Sequence, residues 1–366
     1  MPKIGTSTQM KGMDPMPIIM GGGGVGDPTF KGHIAGAGAP NYLYHPDCVF
    51  VLGNYAYVAA YDDLGLTTID VSDPANPIFA AHYSNPGAIR YVDSPRGVFA
   101  LGNYVYLTCW VDNSLVIFDL TNPALPGWAG QIHGAGAPKY LSFPTGVFVL
   151  GNYAYVAAYA DNSLTIIDVT NPAAPVFKGH IAGAGAPNYL HGPWGVFVVG
   201  NYAYVAAAID NSLTIIDVTN PAAPVFKGHI AGAGAPNYLD SPFSVFVVGN
   251  YAYVAANGDN SLTIIDVTDP AAPTFKGHIA GAGAPNYLHG PWGVFVVGNY
   301  AYVAANGDNS LTVIDVTDPA APVFKGHIAG AGAPNYLDGP FGVFVVGNYA
   351  YVAAYGDNSL TIIDVS

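Results

Sequence analysis

The residues that could carry chemistry here are aspartates, histidines and aromatic side chains, and each kind recurs at one spacing. Asp70, Asp119, Asp168, Asp217, Asp266, Asp315 and Asp364 stand 49 residues apart, as do Asp63, Asp112, Asp161, Asp210, Asp259, Asp308 and Asp357. Carboxylates in such numbers raise metal ligation or acid–base work. Their surroundings favour a plainer role: the first set precedes Val-Thr or a near equivalent and a proline turn, the second opens Asp-Asn-Ser in most units, and in such settings Asp accepts N–H groups of a turn. Calcium at the second set stays open, though it lacks the dense oxygen-ligand spacing of a calcium loop.

A third set lies just before an apolar run: Tyr44, Asp93, Ser142, His191, Asp240, His289 and Asp338. His and Asp alternate over the last four, and three residues on Trp194, Phe243, Trp292 and Phe341 alternate in step, as duplication of a two-unit block would produce. A His–Asp pair across a unit boundary reads as a hydrogen bond, and no HExxH or cysteine-rich pattern supports a metal. Each unit also carries one Tyr in its longest connection: Tyr42, Tyr91, Tyr140, Tyr189, Tyr238, Tyr287 and Tyr336. Packing between units explains these first. The sharper reading joins Tyr189, Tyr238, Tyr287 and Tyr336 with Trp194 or Trp292, and with His191, Asp240, His289 and Asp338, into repeated pockets that stack a sugar and hydrogen-bond it. The histidines of Phe-Lys-Gly-His-Ile (His33, His180, His229, His278, His327) read as packing or solvent-facing. Arg90 and Arg96, the two arginines of the chain, sit near His82 and Asp93 and could meet an anion or a partner. Near-identical units do not supply the different groups that a reaction needs around one atom. The expectation is a non-enzymatic protein with no catalytic residues, no metal and no cofactor.

The elements that must position these residues follow from the repeat. Gly-Asn-Tyr-Ala-Tyr-Val-Ala-Ala or a close variant begins at Gly53, Gly102, Gly151, Gly200, Gly249, Gly298 and Gly347. In the unit 191–239, turn chemistry and apolar runs predict strands at 196–199, 202–207, 213–218 and 225–230. All 24 acidic residues are Asp, Gln occurs twice, and Val, Ile, Tyr, Thr, Gly, Pro and Asn are plentiful, a vocabulary of strands and turns. The fold class is all-β, and a 49-residue unit with four strands is a propeller blade. Seven units predict a seven-bladed β-propeller of four-stranded blades. The chain stops after the third strand of its last unit, while residues 28–34 match 322–328, so an N-terminal strand is expected to complete the C-terminal blade.

Residues 24–366 form seven units of 49, preceded by a flexible tail, 1–23, that holds all five methionines and no secretory-signal pattern. Within it Ile18 and Ile19, ahead of a run of glycines, could contact a neighbouring subunit. A net charge of −14 opposes nucleic acid and anionic lipid. Apolar runs of about four to seven residues are too short for a transmembrane segment. Cys48 and Cys109 fall at different positions of the unit, which supports neither a disulfide nor a metal site.

The third strand of each unit, Leu311-Thr312-Val313-Ile314-Asp315 with its equivalents at 213–217 and 115–119, resembles the LVIVD repeat, with Thr at the second place in most units. The flanking Gly-Asn-Tyr-Ala-Tyr-Val-Ala-Ala and Asp-Val-Thr-Asp-Pro-Ala-Ala-Pro are similar to that family's strand and turn. The resemblance covers nearly the whole chain and implies a propeller and an extracellular or cell-surface setting; it implies no reaction. The functional expectation is an interaction or adhesion module that presents its loop pockets to a multivalent carbohydrate or surface polymer. The alternative is a structural subunit forming a homo-oligomer, a filament or a surface layer.

Overall fold

Tyr-Ala-Tyr-Val-Ala-Ala and Ser-Leu-Thr-Ile-Ile-Asp hold β-branched and aromatic residues with no charge until the last position, and both become strands buried on both faces. The computed structural model describes residues 26–84 and 91–366. Ile18, Ile19 and the tail that contains them lie outside the described residues, as does Arg90. In the unit chosen above, the strands are Pro193–Val199, Tyr202–Ala207, Ser212–Asp217 and Val225–Ala231, paired antiparallel in chain order. The same four-stranded sheet recurs seven times. Each first strand touches the first strand of the next sheet, and Pro340–Val346 of the seventh touches Pro46–Leu52 of the first, so the sheets close into a ring with first strands at the axis and fourth strands at the rim.

The N-terminal strand completes the seventh blade. Thr29–Ala35 pairs antiparallel with Ser359–Asp364, with Thr29 opposite Asp364 and Ala35 opposite Ser359. The Gly26 N–H donates to the Ser366 carbonyl at 2.9 Å.

The core lies between blades rather than within them. Tyr204, Leu213, Ile215 and Ile230 of the fourth blade pack on Val245, Val247, Val254 and Ile265 of the fifth. Each buried Val, Leu or Ile there contributes about 1.5–3 kcal/mol. Neither blade could bury this face alone, which is why the fold needs the whole circle.

The first strand starts three residues before the predicted position 196. Pro193 pairs with Ala207 and Gly195 with Ala206, leaving Trp194 as the extra residue of a β-bulge. The same irregularity follows the first proline of every first strand. Gly195 permits it, because a Cβ there would lie 2.6 Å from the Phe243 carbonyl oxygen of the next blade. The small residue lets neighbouring backbones approach, and the bulge turns its extra residue toward the axis.

Candidate functional site

Both repeated aspartate sets are committed to backbone N–H groups. At the end of the third strand, Asp217 Oδ1 accepts from the Thr219 N–H at 2.9 Å, and its six equivalents accept likewise from the N–H two residues on. Bonds from Thr219 hold the Asp217 carboxyl below its usual range. The hairpin set reaches further than a turn signature implies. Asp210 accepts from Gly185 at 2.9 Å and from His191 at 2.8 Å, pinning both ends of the long crossing loop that enters its blade. The neighbouring Asn211 accepts from Ser241 of the next blade at 2.9 Å. Asp-Asn-Ser is therefore a loop anchor plus a blade-to-blade link, and its carboxylate oxygens are taken.

The seven crossing-loop tyrosines each stack on a histidine of the outer strand of their own blade, with ring centroids 3.6–4.4 Å apart. Tyr189 lies on His229, Tyr238 on His278, Tyr287 on His327, and Tyr336 on His33 of the N-terminal strand. Burial lowers the pKa of these histidines, against the pull of the nearby hairpin aspartates, and so favours the neutral imidazole in the stack. This corrects the expected pockets. Tyr189 and its equivalents stand at the rim, whereas Trp194 and Trp292 stand at the axis, a blade's width away, so tyrosine and tryptophan share no pocket. The expected His–Asp hydrogen bonds are likewise not formed among the described residues. Asp240, His289 and Asp338 instead lie against Gly258, Gly307 and Gly356 in the hairpins of their own blades, and His191 is held through its backbone, donating to Asp210 and accepting from Ile209. Blades diverge away from the axis, and at that radius equivalent side chains do not reach one another.

The axis is where the blades do meet. The bulge residues of the seven first strands are Asp47, Arg96, Thr145, Trp194, Phe243, Trp292 and Phe341, and they form the mouth of a cavity of about 200 Å³ on the crossing-loop face. Phe243, Trp292 and Phe341 stack in sequence at 4.2 Å, and Phe341 continues onto Tyr355 at 4.7 Å. Trp194 leans across the mouth, 5.5 Å and edge-on from Trp292, 5.9 Å from Trp110, and 5.3 Å from the Arg96 guanidinium. Below the mouth comes a ring of small residues, then a ring of valines. Next in each strand is a phenylalanine, and these seven form a closed collar from Phe50 to Phe344 with centroids 4.5–4.9 Å apart.

The polar side of the mouth is built by blades one to three. Arg96 Nη1 donates to Asp47 Oδ2 at 3.1 Å, and the guanidinium lies 4.6 Å from the rings of both Tyr61 and Trp110. Burial pushes the Asp47 carboxyl up to about 6, against the pull of Arg96. Arg96 is thus turned to the axis and paired with Asp47; it does not join His82, which stacks on Tyr42 at the rim. Beside it, His45 bonds through Nδ1 to Asp62, with its ring between Tyr44 at 4.2 Å and Tyr355 at 4.1 Å. His45 holds a left-handed backbone, φ 51°, at a place where three other blades use Gly192, Gly290 and Gly339.

Sequence reading missed Asp47, His45, Asp62, Trp110 and the phenylalanine collar. Two signals were present: Asp47 and Arg96 are one repeat apart and so neighbours at the axis, and the collar phenylalanines recur at every 49th position.

No curated protein matches the chain. Among solved structures, virginiamycin B lyase from Staphylococcus aureus aligns with a TM-score of 0.66 at 11% identity, over 91% of this chain and 98% of that one. Hydrazine synthase from Kuenenia stuttgartiensis aligns at 0.65 and 16%, over 91% and 99%. The computationally designed Ika8 protein aligns at 0.60 and 10%, over 93% and 100%. Identities this low establish a shared fold and nothing finer. The LVIVD repeat profile matches residues 47–85, 94–133, 145–182, 193–231, 243–280, 291–329 and 341–366, one match in every blade. With the profile matched through seven closed blades, the chain belongs to the LVIVD repeat family.

Proposed function

We propose that the protein is a non-enzymatic binding module of the cell-surface kind whose ligand, a carbohydrate, docks at the axial mouth of the crossing-loop face. One observation carries this reading: near-identical blades build an asymmetric surface there, with aromatic residues from four blades facing Asp47, Arg96 and Thr145 from the other three. Apolar C–H faces of a sugar suit the aromatic side, and its hydroxyls suit the polar side. There is one such mouth per ring, so any avidity comes from several rings side by side rather than from seven loop pockets on one.

Glycan-array binding is the test. Trp194→Ala should abolish the signal, while Tyr238→Ala, which disturbs a rim stack, should lower the melting temperature and leave specificity unchanged. The bound glycan should be recovered with unaltered mass. Loss of binding in Tyr238→Ala alone would return the site to the loops, and a cleaved glycan would make the protein an enzyme.

The assembly reading has an observation of its own. Outer strands are exposed sheet edges, and a lysine stands on those holding Lys31, Lys178, Lys227, Lys276 and Lys325, a usual guard against edge pairing. Blades one and two carry Ala80 and Ala129 there, so the lysine guard is missing from two neighbouring edges, while the first residue of the strand is exposed with or without it, Ile78 by 64% and Val323 by 59%. Electron microscopy and light scattering of concentrated protein, with and without residues 1–23, separate the two; monodisperse particles in both samples would remove assembly.

A further inference from the structure

Resting on the axial-site reading, we infer that the cavity takes the end of a neutral glycan chain, one sugar residue deep, and discriminates against acidic sugars, amino sugars and internal chain segments. Three features of the site converge on this.

The first is charge. An acidic sugar needs a free cation at the mouth, but the Arg96 charge is balanced by Asp47 at 3.1 Å and its plane is packed against Tyr61 and Trp110, which leaves a buried Nε without a partner among the described residues but no open guanidinium edge. The net charge of −14 adds repulsion. An amino sugar needs a free carboxylate or a run of open aromatic faces, and at this mouth the carboxylate is paired and three of the four rings are stacked, leaving Trp194 as the ring for an uncharged sugar face. Asp47 faces Arg96, and the faces of Phe243, Trp292 and Phe341 are stacked on one another and on Tyr355. Covered faces leave ring edges for a ligand, and edges carry the positive part of the quadrupole, which repels cations and attracts hydroxyl oxygen.

The second is size. About 200 Å³ is below the roughly 300 Å³ at which pockets for larger ligands begin, and it leaves room for one sugar ring. The third is the floor. Seven phenylalanines with centroids 4.5–4.9 Å apart close around the axis, and the cavity ends above them, since none of the seven lines it. A chain cannot thread through, so it enters by its end.

The experiment is an array that presents neutral, acidic and amino sugars, each both as chain terminus and as internal residue, probed with the full chain and with Trp194→Ala and Trp194→Phe. Phe occupies the equivalent position in blades five and seven, so Trp194→Phe keeps the fold if alanine does not. The expected result is selection of neutral termini, weakened about tenfold or more by either substitution, as for a central aromatic contact. Binding that depends on Trp194 but is equal for termini and internal residues, or that prefers charged sugars, overturns this inference and leaves the axial site standing. No binding to any glycan, or binding indifferent to both substitutions, removes the axial site and the inference with it.

Discussion

Asp47 occupies a position that four other blades fill with an aromatic ring, and burial there sets its acidity. The folded carboxyl keeps its proton up to about pH 6, whereas an ordinary Asp loses it near 3.8. Between those values the native state binds more protons than the unfolded chain, so this residue's contribution to stability falls as pH rises from about 4 to about 6 and is constant above. Denaturant melts at half-unit pH steps should show that slope as a difference between wild type and Asp47→Asn, confined to that window. A parallel pair of curves would mean that Asp47 is as acidic as a surface aspartate and that Arg96 holds it charged throughout.

The crossing loops are the elements that the hairpin aspartates hold. Asp210 binds the N–H groups of Gly185 and His191, and hydrogen bonds to a charged acceptor are worth about 1.5–3 kcal/mol each when buried, less at this half-exposed site. Asp210→Asn should therefore cost about 1–2 kcal/mol and speed hydrogen exchange at those two amides, leaving strands 202–207 and 212–217 protected. Unchanged exchange at Gly185 would show the loop to be held by the Tyr189–His229 stack instead. Much of this was legible in advance. Three of the four strands of unit 191–239 lie within a residue of the positions that turn chemistry gives, because Gly-Asn, Asp-Asn-Ser and Asn-Pro-Ala-Ala-Pro punctuate apolar runs without ambiguity. The first strand begins at Pro193 rather than at 196 because the structure carries it through a bulge whose condition, a next-blade carbonyl that would lie 2.6 Å from a Cβ on Gly195, is remote in sequence. The tyrosine stacks were hidden for the same reason: Tyr189 and His229 are 40 positions apart and meet only once the fourth strand lies at the rim.

At the scale of the whole molecule, closure depends on one seven-residue strand. Thr29–Ala35 supplies the outer edge of the seventh blade, brings His33 onto Tyr336 at 3.6 Å, and buries Ile34. About four backbone hydrogen bonds at roughly 1 kcal/mol net each, with the apolar burial of Phe30 and Ile34 at about 2 kcal/mol apiece, give the clasp a worth on the order of 8 kcal/mol as an upper bound. That is comparable to the entire stability of an ordinary domain, about 5–15 kcal/mol, so a chain beginning at residue 36 should melt far lower than the full chain. Loss of the strand differs from loss of an ordinary segment in being reversible from outside. The seventh blade would keep its three-stranded sheet with the edge Ser359–Asp364 open, and a synthetic peptide covering residues 26–35 should restore the melt in a saturable, one-to-one manner. The same peptide with Ile34→Asp should not, since its side chain would enter a buried site without a partner. Rescue by both peptides, or a truncated chain as stable as the full one, would mean that the interfaces between blades hold the ring shut without the clasp.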